Sequence, residues 1–96
     1  MFLDLHSHSR KLGTFFYGNS FLNNKNVTRK YPMMVCKKDK RFSYEYCRYS
    51  PCNPSSARQV LFDYLQIPLV YTVESSFYGY KKNETNIVEY LPNDYK

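Results

Sequence analysis

Polar and apolar residues alternate through the first eight positions of the chain. Leu3, Leu5 and Ser7 fall on one side of an extended strand, and Asp4, His6 and His8 on the other. A strand here sets three groups able to bind metal or move protons in one row. Phe15-Phe16-Tyr17, between Gly13 and the turn residues Gly18-Asn19-Ser20, predicts a second, short and buried strand. From Asn23 to Arg41 the chain is polar and basic, broken by Tyr31-Pro32-Met33-Met34-Val35-Cys36, and a helical turn or two with loop is expected. Phe42 to Tyr49 is rich in aromatic residues and alternates loosely, which predicts another strand, ended by Ser50-Pro51-Cys52-Asn53-Pro54.

The clearest helical period follows. Ala57, Val60, Leu61, Tyr64 and Leu65 recur at i, i+3, i+4, i+7 and i+8 behind a capping Ser55 or Ser56, so one amphipathic helix is expected. After Pro68, the nearly continuous β-forming run Leu69–Val73 predicts a strand covered on both faces, with Glu74 at its end. A carboxylate leaving a buried strand loses hydration unless a cation or hydrogen-bond donors compensate. An active-site edge would supply them. Beyond Gly79 the tail is polar, with one short amphipathic turn expected over Asn86–Leu91. Three strands, a helix and a further strand without internal repeats imply an α/β sheet, and an incomplete one.

Composition narrows the class. Ninety-six residues make one modest core. Eleven Tyr and seven Phe carry much of the apolar content, a folding composition. Fourteen Lys and Arg against eight Asp and Glu give a formal charge of +6, which favours polyanionic partners. Cys36, Cys47 and Cys52 are odd in number and lack CxxC spacing, so reduced thiols and a cytosolic compartment are expected. The start Met1–His6 lacks the basic and apolar parts of a secretion signal, and no stretch approaches the roughly 20 apolar residues of a membrane span. No membrane partner is expected, and the sequons Asn26-Val27-Thr28 and Asn83-Glu84-Thr85 carry no weight without secretion.

Each candidate for chemistry has two readings. In Asp4-Leu5-His6-Ser7-His8-Ser9 an imidazole suits zinc and a nearby carboxylate can orient the ring, but two hydrogen-bonded surface histidines would share the spacing. Glu74 is a general base or an ion-pair partner, and Arg58 a bidentate carboxylate clamp or a solvated cation. The cluster Arg29, Lys30, Lys37, Lys38, Lys40 and Arg41 is a polyanion face or a hydrated loop. No RNP, KH or zinc-finger pattern accompanies it, so nucleic acid is not the expected partner. A Gly-rich phosphate loop, a GxSxG elbow and a recognisable Cys-His pair are all missing, which leaves phosphoryl transfer and serine hydrolysis without support.

Two segments combine into a resemblance. Phe2-Leu3-Asp4-Leu5-His6-Ser7-His8-Ser9-Arg10-Lys11 followed by Phe15-Phe16-Tyr17-Gly18-Asn19 is similar to the D-x-H-x-H-S-R-K and F-x-Y-G segment of cytosolic carboxypeptidases, a branch of the zinc metallocarboxypeptidases. Ser56-Ala57-Arg58-Gln59-Val60 and then Tyr71-Thr72-Val73-Glu74-Ser75-Ser76-Phe77 with Gly79 resembles the same family's catalytic-glutamate segment. The resemblance implies that residues 1–96 are the C-terminal part of a mixed-sheet zinc carboxypeptidase domain whose upstream part is missing, leaving an exposed sheet edge. It implies His6 as a zinc ligand, Glu74 as the general base, His8 lining the site, and Arg10 and Arg58 as substrate-binding candidates. Zinc would be the cofactor. C-terminal or branched glutamates on acidic tails such as tubulin's would be the substrate, in the cytoplasm near microtubules. The family's H-x-x-E ligand pair has no counterpart, since Ser9 and Lys11 stand at the corresponding offsets from His6 and His8. The 96 residues alone are therefore expected to be inactive. A noncatalytic basic module that binds acidic tails or nucleic acid is the alternative.

Overall fold

The computed structural model describes residues 1–51 and 53–95. The opening alternation becomes β1 (Phe2–His8), and the aromatic run becomes β2 (Thr14–Tyr17). Both pair with β3 (Val70–Ser76), β1 in parallel and β2 antiparallel, in the order β1-β3-β2. β3 is thus the central strand, which accounts for its run of β-formers: Val70 and Tyr71 are buried in the middle of the sheet. Helices α1 (Lys30–Lys38) and α2 (Ala57–Leu65) complete a mixed α/β fold. None of the described helices is long and apolar enough to cross a membrane.

Aromatic rings fill the core. Phe16 lies 4.8 Å from Phe42, 5.2 Å from Tyr71 and 5.9 Å from Tyr31 between ring centroids. Phe15, one residue earlier and therefore on the opposite face of the sheet, meets Tyr17 and Tyr46 edge to face. The buried Cys47 Sγ accepts the Phe16 N–H at 3.3 Å, and burial pushes its thiol up to about 11. Cys36 and Cys47 are free thiols, and Cys52 lies outside the described residues.

Three expectations are corrected. Residues 42–49 are not a strand: Phe42 and Arg48 each touch β2 by a single bridge, and Tyr44–Tyr46 arches between them as one 3-10 turn. Phe42 and Cys47 are both buried in the same core cluster. They have opposite parity, so a straight strand would turn one of them away. The stretch Asn86–Leu91 makes no helical turn: a hairpin of β4 (Gly79–Lys81) and β5 (Ile87–Glu89) forms there, with Asn83 Oδ1 accepting the N–H groups of Thr85 and Asn86 in the connection, and a 3-10 turn follows only at Pro92–Tyr95.

The third correction concerns α2. Ser56 caps it as expected, its hydroxyl accepting the Gln59 N–H at 3.3 Å. The helix nevertheless buries Arg58, Gln59 and Phe62 and leaves Val60, Tyr64 and Leu65 exposed. The cause is a polar network: Asn19 donates to Gln59 Oε1 at 2.8 Å, Gln59 donates to Asp63 at 3.0 Å, and Phe62 packs its ring on Phe21. Hydrogen bonds to β2's exit thus decide which face turns inward, against the apolar count. α1 is a fuller helix than expected, and its Pro32 sits in the first turn, where a missing N–H costs nothing.

Candidate catalytic edge

Register builds the site. His6 on β1 is the direct partner of Glu74 on β3, and Phe15 on β2 is the partner of Glu74 from the other side. The three residues form one row across the sheet. Partners in register share a face, and neighbouring strands lie roughly 5 Å apart, so the imidazole and the carboxylate stand side by side. Asp4 and His8 flank His6 on the same face by the strand's period of two.

Each neighbour does something to the row. The Asp4 carboxylate lies 3.0 Å from His6 Nε2, and this hydrogen bond raises the His6 pKa, offset in part by desolvation and supported by the charges of Asp4 and Glu74. The bond holds Nε2 and leaves Nδ1 as the nitrogen open to a ligand. His8 is engaged differently. Its Nδ1 accepts the backbone N–H groups of Arg10 at 3.0 Å and Lys11 at 3.1 Å, and its ring packs on Phe15 edge to face. His8 is thereby the cap of the turn that leaves β1. That turn lays the Lys11 ammonium over the rings of Phe15 and Tyr46, 5.4 Å from each centroid. Arg10 is exposed beside it.

A clasp fixes the ends of the strands. Gly13 donates its N–H to Gly79 O at 2.7 Å and accepts the Ser76 N–H at 3.0 Å, while Ser76 Oγ accepts the N–H of Tyr78 at 3.1 Å. Gly13 has φ +83, and a Cβ there would stand 2.6 Å from Ser43 Oγ.

Arg58 is not brought to this row. It is 6% exposed, and its NH1 donates to Gly18 O, to Asn19 Oδ1 at 2.8 Å and to Ser50 O. The Gly18 level is three register steps from Glu74, roughly 10 Å along the strands at about 3.3 Å per residue. Lys11 and Tyr46 escaped the sequence reading as site neighbours. Lys11 carried only a motif match, and the fold-back of the Tyr44–Tyr46 arch had no local signal.

Among the described residues no group of three or more His, Cys, Asp or Glu side chains could hold a metal ion. A catalytic zinc takes three protein ligands. The residues present fit a single imidazole ligand with its orienting carboxylate, and they do not fit a complete zinc site.

The Asp4 contact gives a direct check. In Asp4→Asn a proton NMR titration should show the His6 midpoint falling back towards the ordinary 6.5. Because the native shift is upward, its small contribution to stability is full below that ordinary value and is lost as pH rises through the raised midpoint. A midpoint unmoved by the substitution would remove Asp4 as the cause.

No protein-family model matches the chain. Among curated proteins it is 34% identical over 84 residues to cytosolic carboxypeptidase 2 of Homo sapiens and 36% identical to cytosolic carboxypeptidase 2 of Macaca fascicularis. It is 30% identical over 84 residues to cytosolic carboxypeptidase 6 of Homo sapiens. Each match covers 82% of this chain but only 9%, 10% and 17% of the respective relative, so the chain spans a small part of their length.

Proposed function

The chain is a cytosolic carboxypeptidase-like segment, and on that footing we propose that it carries one edge of a peptide-hydrolysing site rather than the whole of it. The observation that carries this reading is the register partnership of His6 with Glu74. In a longer polypeptide His6 is one zinc ligand, oriented by Asp4 in the way a second carboxylate commonly fixes a metal-bound imidazole. The other ligands come from outside these 96 residues. Zinc, were it held by His6 together with ligands from such a polypeptide, would supply Lewis-acid chemistry for a carbonyl and acidify water.

Glu74 is the general base. Its carboxylate takes a proton from the attacking water and returns it to the leaving amine. His8 holds the turn beside the row, and Arg10 presents a cation at its mouth. Arg58 has a positioning role, tying the exit of β2 to the start of α2. The substrate is an acidic protein tail, trimmed of C-terminal or branched glutamates as on tubulin, and the site of action is the cytoplasm. The surplus of cations suits such a tail.

Two polypeptides test the reading. The 96-residue chain should bind zinc weakly and release no glutamate from a glutamate-ended peptide. A longer polypeptide that adds the missing ligands should bind zinc one to one and release glutamate from that peptide. A zinc-loaded longer polypeptide with no hydrolysis sinks the proposal, and salt-sensitive capture of acidic peptides by the short chain would favour the noncatalytic basic module instead.

A further inference from the structure

We infer that the outward face of α1 is a docking surface for an acidic peptide of another protein, one that anchors an apolar side chain beside the helix. The inference depends on neither metal nor hydrolysis. It starts from spacing: Lys30, Met33, Met34, Lys37 and Lys38 stand at i, i+3, i+4, i+7 and i+8, and all five are exposed. Tyr31, Val35 and Cys36 pack the other way, against the core. The helix thus shows solvent a stripe with two methionines in the middle, 46% and 60% exposed, and lysine at both ends. Tyr31 stacks on Phe16, which lies on the sheet face opposite Phe15, so the stripe is on the far side of the sheet from the row of His6 and Glu74.

Charge decides what the stripe can meet. Among the described residues Lys30, Lys37, Lys38 and the adjoining exposed Lys40 make no ion pair, and Asp39, the one carboxylate between Asn23 and Phe42, is held by Arg41 at 2.7 Å. Lys37 and Lys38 have a local explanation, since cations in a last turn suit the helix dipole. Lys30 has none. It opens a first turn that holds no acidic residue, where positive charge is unfavourable. A face of unpaired lysines is costly to bury without counter-charges, so its occupant is anionic.

Shape separates a peptide from a lipid surface. Where α1 meets the arch Tyr44–Tyr46, Met33, Cys36, Tyr44 and the stem of Lys37 line an open apolar hollow of about 170 Å³. One large side chain fills such a hollow, whereas a lipid surface needs a broad apolar face, which two methionines do not make. Methionine suits the wall of a peptide site, because its unbranched thioether adapts to what it meets. The occupant is therefore an acidic segment with an apolar residue among its carboxylates. The carboxylates reach Lys30, Lys37 and Lys38, and the apolar residue enters the hollow.

Fluorescence anisotropy on the 96-residue chain tests this with two labelled peptides, one of glutamates alone and one with a single phenylalanine at its centre. The phenylalanine peptide should bind about tenfold more tightly, as expected for partial burial of that side chain. Its binding should weaken as salt is added. Amide NMR shifts should change over residues 30–38 and at Tyr44, and not along β1. Lys37→Glu combined with Lys38→Glu should weaken both peptides on the order of tenfold. Met33→Ser should remove the advantage of the phenylalanine. All three positions are exposed, and circular dichroism confirms that the fold is kept. The inference is overturned by absent binding, by equal affinity for the two peptides, by shifts that map elsewhere, or by association with phosphatidylserine vesicles in place of peptide. A longer polypeptide that no longer binds the phenylalanine peptide has this face covered by its own chain, which overturns it too. Capture without hydrolysis in that polypeptide leaves the face standing and removes the proposed hydrolytic edge, so the two readings fail separately.

Discussion

Glu74→Gln, made in a longer polypeptide that supplies the remaining metal ligands, should lower kcat by about 10²–10⁴-fold, the usual contribution of a positioned general base. The amide keeps the shape of the side chain but has no lone pair basic enough to hold the water's proton. An interaction made only in the transition state lowers kcat and kcat/KM together, so KM should hardly move. Zinc content should also be unchanged, since the register sets Glu74 beside His6 as a neighbour and the proposed ligand is the imidazole. Glu74 is only part-buried, and the stability of the fold should not confuse the result. Steady-state kinetics with metal analysis on the same preparation decides the matter: full turnover in the variant would remove Glu74 as the base.

Phe16→Ala should cost about 3–5 kcal/mol, the range for deleting a buried aromatic side chain. Phe16 is 5% exposed and touches rings from three separate parts of the chain, Tyr31, Phe42 and Tyr71. No single neighbour can move to fill the space, because each is fixed by its own element. Small domains have roughly 5–15 kcal/mol to lose, and a chain of 96 residues sits low in that range. Urea denaturation should therefore show a folded baseline that is short or gone, whereas a loss below about 1 kcal/mol would mean the core is not organised around this ring.

What could be read from the sequence depended on whether the cause was local. The row Asp4, His6, His8 follows from a period of two and needs no partner strand to be seen. The central place of β3 followed from its unbroken run of β-formers. That His6 and Glu74 belong together was implied only by the family resemblance, and nothing local to either residue specifies the register that makes them partners. The inward face of α2 was misjudged because Arg58 and Gln59 are buried by hydrogen bonds to Gly18 and Asn19, contacts made across 40 positions of chain. The arch at Tyr44–Tyr46 was missed for a similar reason, the burial of both Phe42 and Cys47 being a demand of the core. In the tail, Asn83 was the available turn signal, but the polar residues around it hid two short strands.

The sheet also says something about when this chain can fold. β1 and its partner β3 lie far apart in sequence, with β2 and both helices between them. On a ribosome β1 must wait for β3 to emerge before the two can pair, because a parallel partner cannot be reached through a tight turn. β2 depends on the same late strand. Until β3 emerges, neither strand has this sheet to join. Yield in a cell should respond more to translation rate and to holdase chaperones than to any stabilisation of the finished fold.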